Sequence, residues 1–347
     1  MTLPETLGTL GESQVLARIF PRLPAAAREL LGPGDDAAVL SVPDGRVVIT
    51  TDMMIHGPDF RLAWSTPHDL GWKAAASNLA DVAAMGAVPT ALVVALAAPA
   101  DTEVAFLEAF ADGLRDGCAA LAPDCGVVGG DLSVSATLTI AVTAFGDLEG
   151  RAPVTRSGAR PGDIVAVSGV LGAAAFGLEL LFASTADAST ADASTADREP
   201  DATAAAALKL EHPAAVAAQL APHPPIADGK AAALAGATAM LDLSDGLAID
   251  SRRLALASGV ALDLSAAAVA QGFPFDAPHD ARLCLDGGED HSLLATFPAG
   301  TNLPGGFRAI GSVVDLADDG DGILVDGTPY LARSGWDPYA GWDGVAG

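Results

Sequence analysis

The sequence predicts an α/β protein built of α+β layers in two domains. Short apolar runs with strand character alternate with longer amphipathic stretches, and turn-forming residues separate them. A polar, turn-rich segment near the middle, Arg151 to Asp163, divides the pattern in two. The chain has 347 residues, half of them apolar, which is enough for two cores and excludes a disordered chain.

The elements follow in order. An amphipathic stretch from Glu12 to Leu31 leads into the glycine loop at 32–34, and Arg46 to Thr50 reads as a strand. A helix starts at Thr66, with Pro67 in its first turn and Asp69 three residues on, close to a capping box; it runs to Met85 and ends at Gly86. The uncharged stretch Val82 to Ala100 is interrupted by Gly86, Pro89 and Pro99, so it reads as a helix end and a buried strand at Ala91–Ala97, not as a membrane span. A helix near Thr102–Ala122 and strands at Gly126–Val128 and Leu138–Phe145 complete the first half, residues 1–148.

The second half, 149–347, opens with a strand at Ile164–Val167, the turn Ser168-Gly169-Val170-Leu171-Gly172 and a helix to Phe182. That turn is of the kind that cradles phosphate, a weak signal by itself. Ala183 to Asp197 repeats Ala-Ser-Thr-Ala-Asp three times, has no apolar face, and reads as a flexible insertion at 183–200 without a catalytic role. Helices at Ala202–Leu220 and after Ile226, a strand into Leu241 and a helix after Asp245 follow. The acidic tract 318–322 lacks the ligand pattern of an EF-hand and reads as a hairpin turn.

Charge narrows the function classes. With 18 Lys and Arg against 44 Asp and Glu, the formal charge is −26, which disfavours nucleic acid and anionic membrane surfaces as partners. The three cysteines, Cys118, Cys125 and Cys284, have no CxxC spacing and fit neither a disulfide framework nor a zinc site. They suggest buried thiols in a reducing, cytoplasmic setting, and the first residues lack the pattern of a signal peptide.

Five acidic clusters share one local context. Asp35-Asp36 follow a glycine loop, Asp52 and Asp131 read as closing strands, Asp242 and Asp245 follow an apolar run, and Glu289-Asp290 follow Gly287-Gly288. Ligands gather beyond strand ends in open sheets, where glycine permits close approach. Asp81 is the most informative residue. It lies in the last turns of an apolar helix, at the negative end of the macrodipole, where a carboxylate needs a cation. Lys73, two turns earlier, is not an evident partner, whereas a metal ion shared with other carboxylates is; Asn78 adds a neutral oxygen. Hard oxygen donors without clustered His or Cys select Mg²⁺ or Mn²⁺. With no nucleophile motif and no Walker loop, the pattern fits a polyphosphate substrate neutralised by metal ions.

The motifs GPGDDAAVL, VVITTDMM, KAAASNLADVAAMGAVP, VVGGD, VTRSGARPGD, MLDLSDGL and LDGGEDHSLL occur in the order found in the thiamine-monophosphate kinase family. The resemblance runs from residue 12 to 345. It also touches the wider superfamily of aminoimidazole ribonucleotide synthetase, selenophosphate synthetase and the hydrogenase-maturation dehydratase, although the functional cysteines of the last two have no counterpart here. It implies a two-domain synthetase-like fold, with an N-terminal domain forming a dimer barrel and a C-terminal α/β domain. It implies ATP-dependent conversion of thiamine monophosphate to thiamine diphosphate in a homodimer, with several Mg²⁺ ions.

By position, Asp36, Thr50, Thr51, Asp52, Asp81, Asp131, Asp242 and Asp245 resemble the metal-binding set, with Asp36, Asp81 and Asp242 the most critical. Gly130, Asp131, Arg156 and Ser244 resemble the ATP contacts. Asp59, Glu289 and the C-terminal aromatic Tyr339 resemble the thiamine-phosphate contacts, although Asp59 stands where the family often has His. His291-Ser292 and Leu132-Ser133 also depart from the family pattern. Two other readings stay open at this point: another synthetase or metal-dependent phosphatase using the same carboxylates on a different phosphate ester, and a non-enzymatic divalent-cation binder.

Overall fold

A computed structural model describes residues 5–32, 38–183, 201–277, 281–317 and 321–332. Asp35, Asp36, Tyr339 and all but the first residue of the repeat insertion lie outside these, as does most of the 318–322 tract. The first half comprises helices α1 (Leu7–Leu10) and α2 (Glu12–Ile19), strands β1 (Glu29–Leu31), β2 (Val39–Leu40) and β3 (Val48–Ile55), helix α3 (Pro67–Ala84), strand β4 (Val88–Ala98), helix α4 (Val104–Leu121), and strands β5 (Gly126–Val134) and β6 (Thr139–Asp147). The second comprises β7 (Ile164–Ser168), α5 (Ala173–Ala183), α6 (Ala202–Glu211), α7 (Pro213–Leu220), α8 (Ile226–Leu234), β8 (Ala239–Leu243), α9 (Leu247–Ser258), β9 (Val260–Leu264), α10 (Ala266–Ala270), α11 (Ala281–Asp286), β10 (Ser292–Phe297), β11 (Arg308–Asp315), β12 (Ile323–Val325) and β13 (Thr328–Pro329). The fold class is α/β in layers.

Two sheets organise these elements. One has four strands in the order β3-β6-β4-β5, and the other has seven in the order β13-β12-β9-β11-β7-β10-β8. Helix α3 lies between them. Its start is fixed as the sequence predicts: Thr66 Oγ1 accepts from the backbone N–H of Asp69, and Asp69 accepts from that of Thr66. It ends before Gly86, whose φ of +70° suits glycine. Thirteen of the eighteen residues of α3 are buried and the rest half-buried, because one face packs on α4 and the four-stranded sheet while another meets α8 and the second sheet. Close approach depends on glycine: a Cβ at Gly229 would sit 2.1 Å from the Ala83 carbonyl oxygen. One core cluster accordingly joins Leu79 and Val82 of α3 to Met240, Leu293 and Phe297 of the second sheet.

Two expectations are corrected. Asp52 does not close its strand, because Met53, Met54 and Ile55 continue the pairing with Ala141, Ile140 and Thr139. Asp131 is likewise inside β5, which continues to Val134 alongside β4. Asp is a poor strand former, but the ladder on either side outweighs that preference at single positions. The uncharged stretch at Val82–Ala100 forms the end of α3 and strand β4, and no helix among the described residues is long and apolar enough to cross a membrane.

Candidate active site

One edge of the seven-stranded sheet collects the C-terminal ends of β7 and β8 and the N-terminal ends of β10 and β11. Asp242 lies near the end of β8, paired with Leu293, and is 5% exposed. The loop after it carries Ser244 and Asp245. The backbone N–H of Glu289 donates to the Ser244 carbonyl at 2.7 Å, and that of His291 to Leu243 at 3.0 Å, so the Gly-Gly-Glu-Asp loop is strapped onto the Asp-Leu-Ser-Asp-Gly loop. Glu289 and His291 both have positive φ, 72° and 50°, which is uncommon for residues with a Cβ and places strain at this site.

Helix α3 and strand β3 bring further acids to this edge. Thr50 Oγ1 donates to Asp81 Oδ2 at 2.9 Å. Burial raises the pKa of Asp81 to about 7, with the charges of Asp242 and Asp52 adding to it and the Thr50 bond opposing it. Burial also raises that of Asp52, against the attraction of His291 and with Asp242, Glu289 and Asp245 adding to it. Asp52, Asp81, Asp242, Asp245 and Glu289, remote in sequence, therefore share one electrostatic environment. Asp59 joins it: burial raises its pKa, and Glu289 is among the charges that act on it. Its carboxylate also accepts the Ile55 N–H at 2.7 Å, which holds the turn after β3.

The other expected residues lie elsewhere. Thr51 Oγ1 donates to the Val142 carbonyl at 2.9 Å and lies on the outward face of the sheet, opposite to Thr50. Asp131 shares the row of Ala95, Ala141 and Met53 and so also faces outward, exposed, on the edge strand farthest from β3. A Cβ at Gly130 would sit 2.0 Å from the Val94 carbonyl oxygen, so the neighbouring strand requires glycine there. An apolar cavity of about 80 Å³, with Ile19, Phe20, Leu23, Phe110 and Leu114 among its walls, borders Gly130 and Asp131. Arg156 is exposed in the segment along the outer edge of β8, where the Thr155 carbonyl accepts from Met240.

Three contacts were not read from the sequence. Lys73 does not reach Asp81; it forms an ion pair with Glu289 at 2.5 Å. The signal was a polar stripe, Lys73, Ser77 and Asp81, at four-residue intervals on an otherwise apolar helix. Arg253 pairs with Asp245 at 2.6 Å and with the fully buried Asp250 at 2.7 Å. His291 Nδ1 lies 3.5 Å from Asp242 Oδ2; burial opposes its charge, but its bond to Asp242 and the nearby Glu289 override this and raise its pKa to about 9. The end of the glycine turn at 168–172 already has acceptors within the chain: the Leu171 N–H donates to the Gly272 carbonyl at 2.9 Å. The Asp290 carboxyl group accepts the N–H groups of Gly172 at 2.5 Å and Ala174 at 2.8 Å, and burial raises its pKa to about 7 against those bonds, so the α5 terminus is already occupied by an acidic group of the chain.

The fit to Mg²⁺ rests on the donors. They are hard oxygens, one is a carboxylate whose burial disfavours its charge without a cation, and Asn78 Oδ1, one turn before Asp81, is buried without a hydrogen-bond partner. No three His, Cys, Asp or Glu side chains among the described residues stand close enough to hold a metal ion by themselves.

The AIR synthase related protein N-terminal domain family matches residues 34–148. A thiamine-monophosphate kinase of Mycobacterium tuberculosis is 43% identical, over 96% of this chain and 93% of its own. The chain belongs to the thiamine-monophosphate kinase family. A solved structure of AaThiL complexed with AMPPCP and TMP superposes with a TM-score of 0.68 at 32% identity, covering 87% of this chain and 90% of that one. A thiamine-monophosphate kinase from Stenotrophomonas maltophilia does so with a TM-score of 0.69 at 31% identity, covering 92% and 96%. Membership in this kinase family removes the cation-binder reading, and the other phosphate-ester readings lose their support.

Proposed function

We propose that the chain transfers the γ-phosphoryl group of ATP to the phosphate of thiamine monophosphate, giving thiamine diphosphate. The observation that carries this is the convergence of Asp52, Asp81, Asp242 and Asp245 from both sheets and α3 at one edge, in a chain of this family. The acceptor is a phosphate oxygen, already anionic near neutral pH. It forms a bond to the γ-phosphorus as the bridge to the β-phosphate breaks, and ADP leaves with the electron pair. No side chain need remove a proton, so positioning and charge neutralisation supply the catalysis. Mg²⁺ ions, held by Asp81, Asp52, Asp242 and Asp245 together with Asp36, would supply that neutralisation.

Glu289 and Asp59 offer negative charge to the thiazolium of the substrate, with Tyr339 as its aromatic contact. Arg156 and Ser244 meet ATP, and the apolar cavity beside Gly130 and Asp131 suits the adenine base. Within one chain, Asp131 and Thr51 face away from Asp81. The same outward face exposes Ile49 and Met53 (57% and 59%). A second copy covering this face would bury that apolar surface and bring the Asp131 edge of one copy to the Asp81 edge of the other, which supports a homodimer. We read the two sheets as two domains, parted near residue 148, and the location as cytoplasmic. Incubation with ATP, Mg²⁺ and thiamine monophosphate, followed by chromatography, tests the function. Sedimentation tests the dimer.

A further inference from the structure

Lys73 is a charged side chain only 5% exposed, on the helix between the two sheets. Its ammonium bonds Glu289 at 2.5 Å and the backbone carbonyl of Gln219, at the end of α7, at 3.2 Å. Both partners belong to the second half of the chain. Next to it, Trp72 Nε1 donates to the Pro222 carbonyl at 2.8 Å, so consecutive residues of α3 grip the segment after α7.

Burying a cation costs several kcal/mol, and an ion pair returns little more than an apolar pair of the same size would. Net stability is therefore a poor account of the pair. Geometry gives a better one. Glu289 sits in a left-handed backbone conformation, and Asp52 and Asp59 act on it with like charge. Left alone, those charges would push its carboxylate away from the cleft. Burial works to raise the Glu289 pKa, but the attraction of Lys73 and then of His291 outweighs this and holds it below the ordinary value, so Glu289 stays ionised.

We propose that Lys73 is a positioning residue, whose ammonium fixes the Glu289 carboxylate beside Asp59 to receive the cationic ring of thiamine monophosphate. The inference rests on the substrate role of Glu289 proposed above. It makes substrate affinity depend on the docking of α3 against α7, although Lys73 need not touch the substrate.

The test measures KM for both substrates in wild type, K73Q, E289Q and the double variant. Gln at 73 keeps a donor for the Gln219 carbonyl and removes only the cation. Each single change is expected to raise the KM for thiamine monophosphate about tenfold, with the KM for ATP within about twofold, and the double variant is expected to be no worse than E289Q. Should K73Q alone fail to fold, the double variant still reports, because it leaves no uncompensated buried charge. A double variant with KM well above that of E289Q overturns the inference, as does an unchanged KM in K73Q. A wild-type chain that forms no thiamine diphosphate overturns the proposed function together with it.

Discussion

Thr50 Oγ1 donates a 2.9 Å hydrogen bond to Asp81 Oδ2, linking strand β3 to the C-terminal turns of α3. The bond fixes a carboxylate in surroundings that disfavour its charge. Asp81→Asn keeps the Thr50 contact and removes the charge, so turnover is expected to fall by at least about 100-fold. Near-normal activity at physiological Mg²⁺ would remove Asp81 from the metal set.

The same residue gives a pH prediction. The Asp81 pKa rises from 3.8 to about 7 on folding, so between those values the folded protein holds a proton that the unfolded chain has lost. This group's contribution therefore lowers stability as pH rises from about 4 to about 7 and adds nothing further above that. In melts without divalent cations, Asp81→Asn should gain stability over wild type across this window, with the gap widening toward neutral pH. A constant gap would contradict the origin assigned to the shift.

Asp290 anchors the strained loop that carries Glu289. Asp290→Ala leaves the N–H groups of Gly172 and Ala174 buried without an acceptor, which should cost about 3 kcal/mol in urea unfolding. A cost under about 0.5 kcal/mol would show that water replaces the carboxylate freely.

Gly130→Ala places a methyl group against the Val94 carbonyl oxygen, 2.0 Å away before relaxation. Strands β4 and β5 must separate locally, so a loss of about 2 kcal/mol and weaker ATP binding are expected, read by unfolding and calorimetry. Unaltered ATP affinity would dissociate this strand from the nucleotide.

Asp59→Asn isolates charge from turn geometry, because the amide oxygen can still accept the Ile55 N–H. The KM for thiamine monophosphate should rise several-fold and that for ATP stay nearly constant. If neither moves, Asp59 serves the turn alone.

Much of the fold was legible. The capping box at Thr66 and Asp69, the stop at Gly86 and the alternation of strands with helices follow from local rules that the structure obeys. The limits are equally physical. Asp52 and Asp131 read as strand ends because an aspartate disfavours a ladder, yet neighbours on both sides pair through them. Lys73 was set aside because spacing along a helix relates it only to Asp81. Its partner Glu289 lies far away in sequence, and only the packing of α3 against the second sheet joins them. The turn at 168–172 has phosphate-binding form, but a distant carboxylate, Asp290, occupies it. The facing of Thr51 and Asp131 away from Asp81 depends on sheet register, which the sequence does not display.

The central claim is phosphoryl transfer to a phosphate, and product identity tests it most directly. The purified chain, incubated with Mg²⁺, ATP labelled in the γ-phosphate and thiamine monophosphate, should yield thiamine diphosphate carrying the label in its terminal phosphate, with one ADP formed for each. Release of the label as inorganic phosphate, with the thiamine monophosphate unchanged or hydrolysed to thiamine, would contradict it.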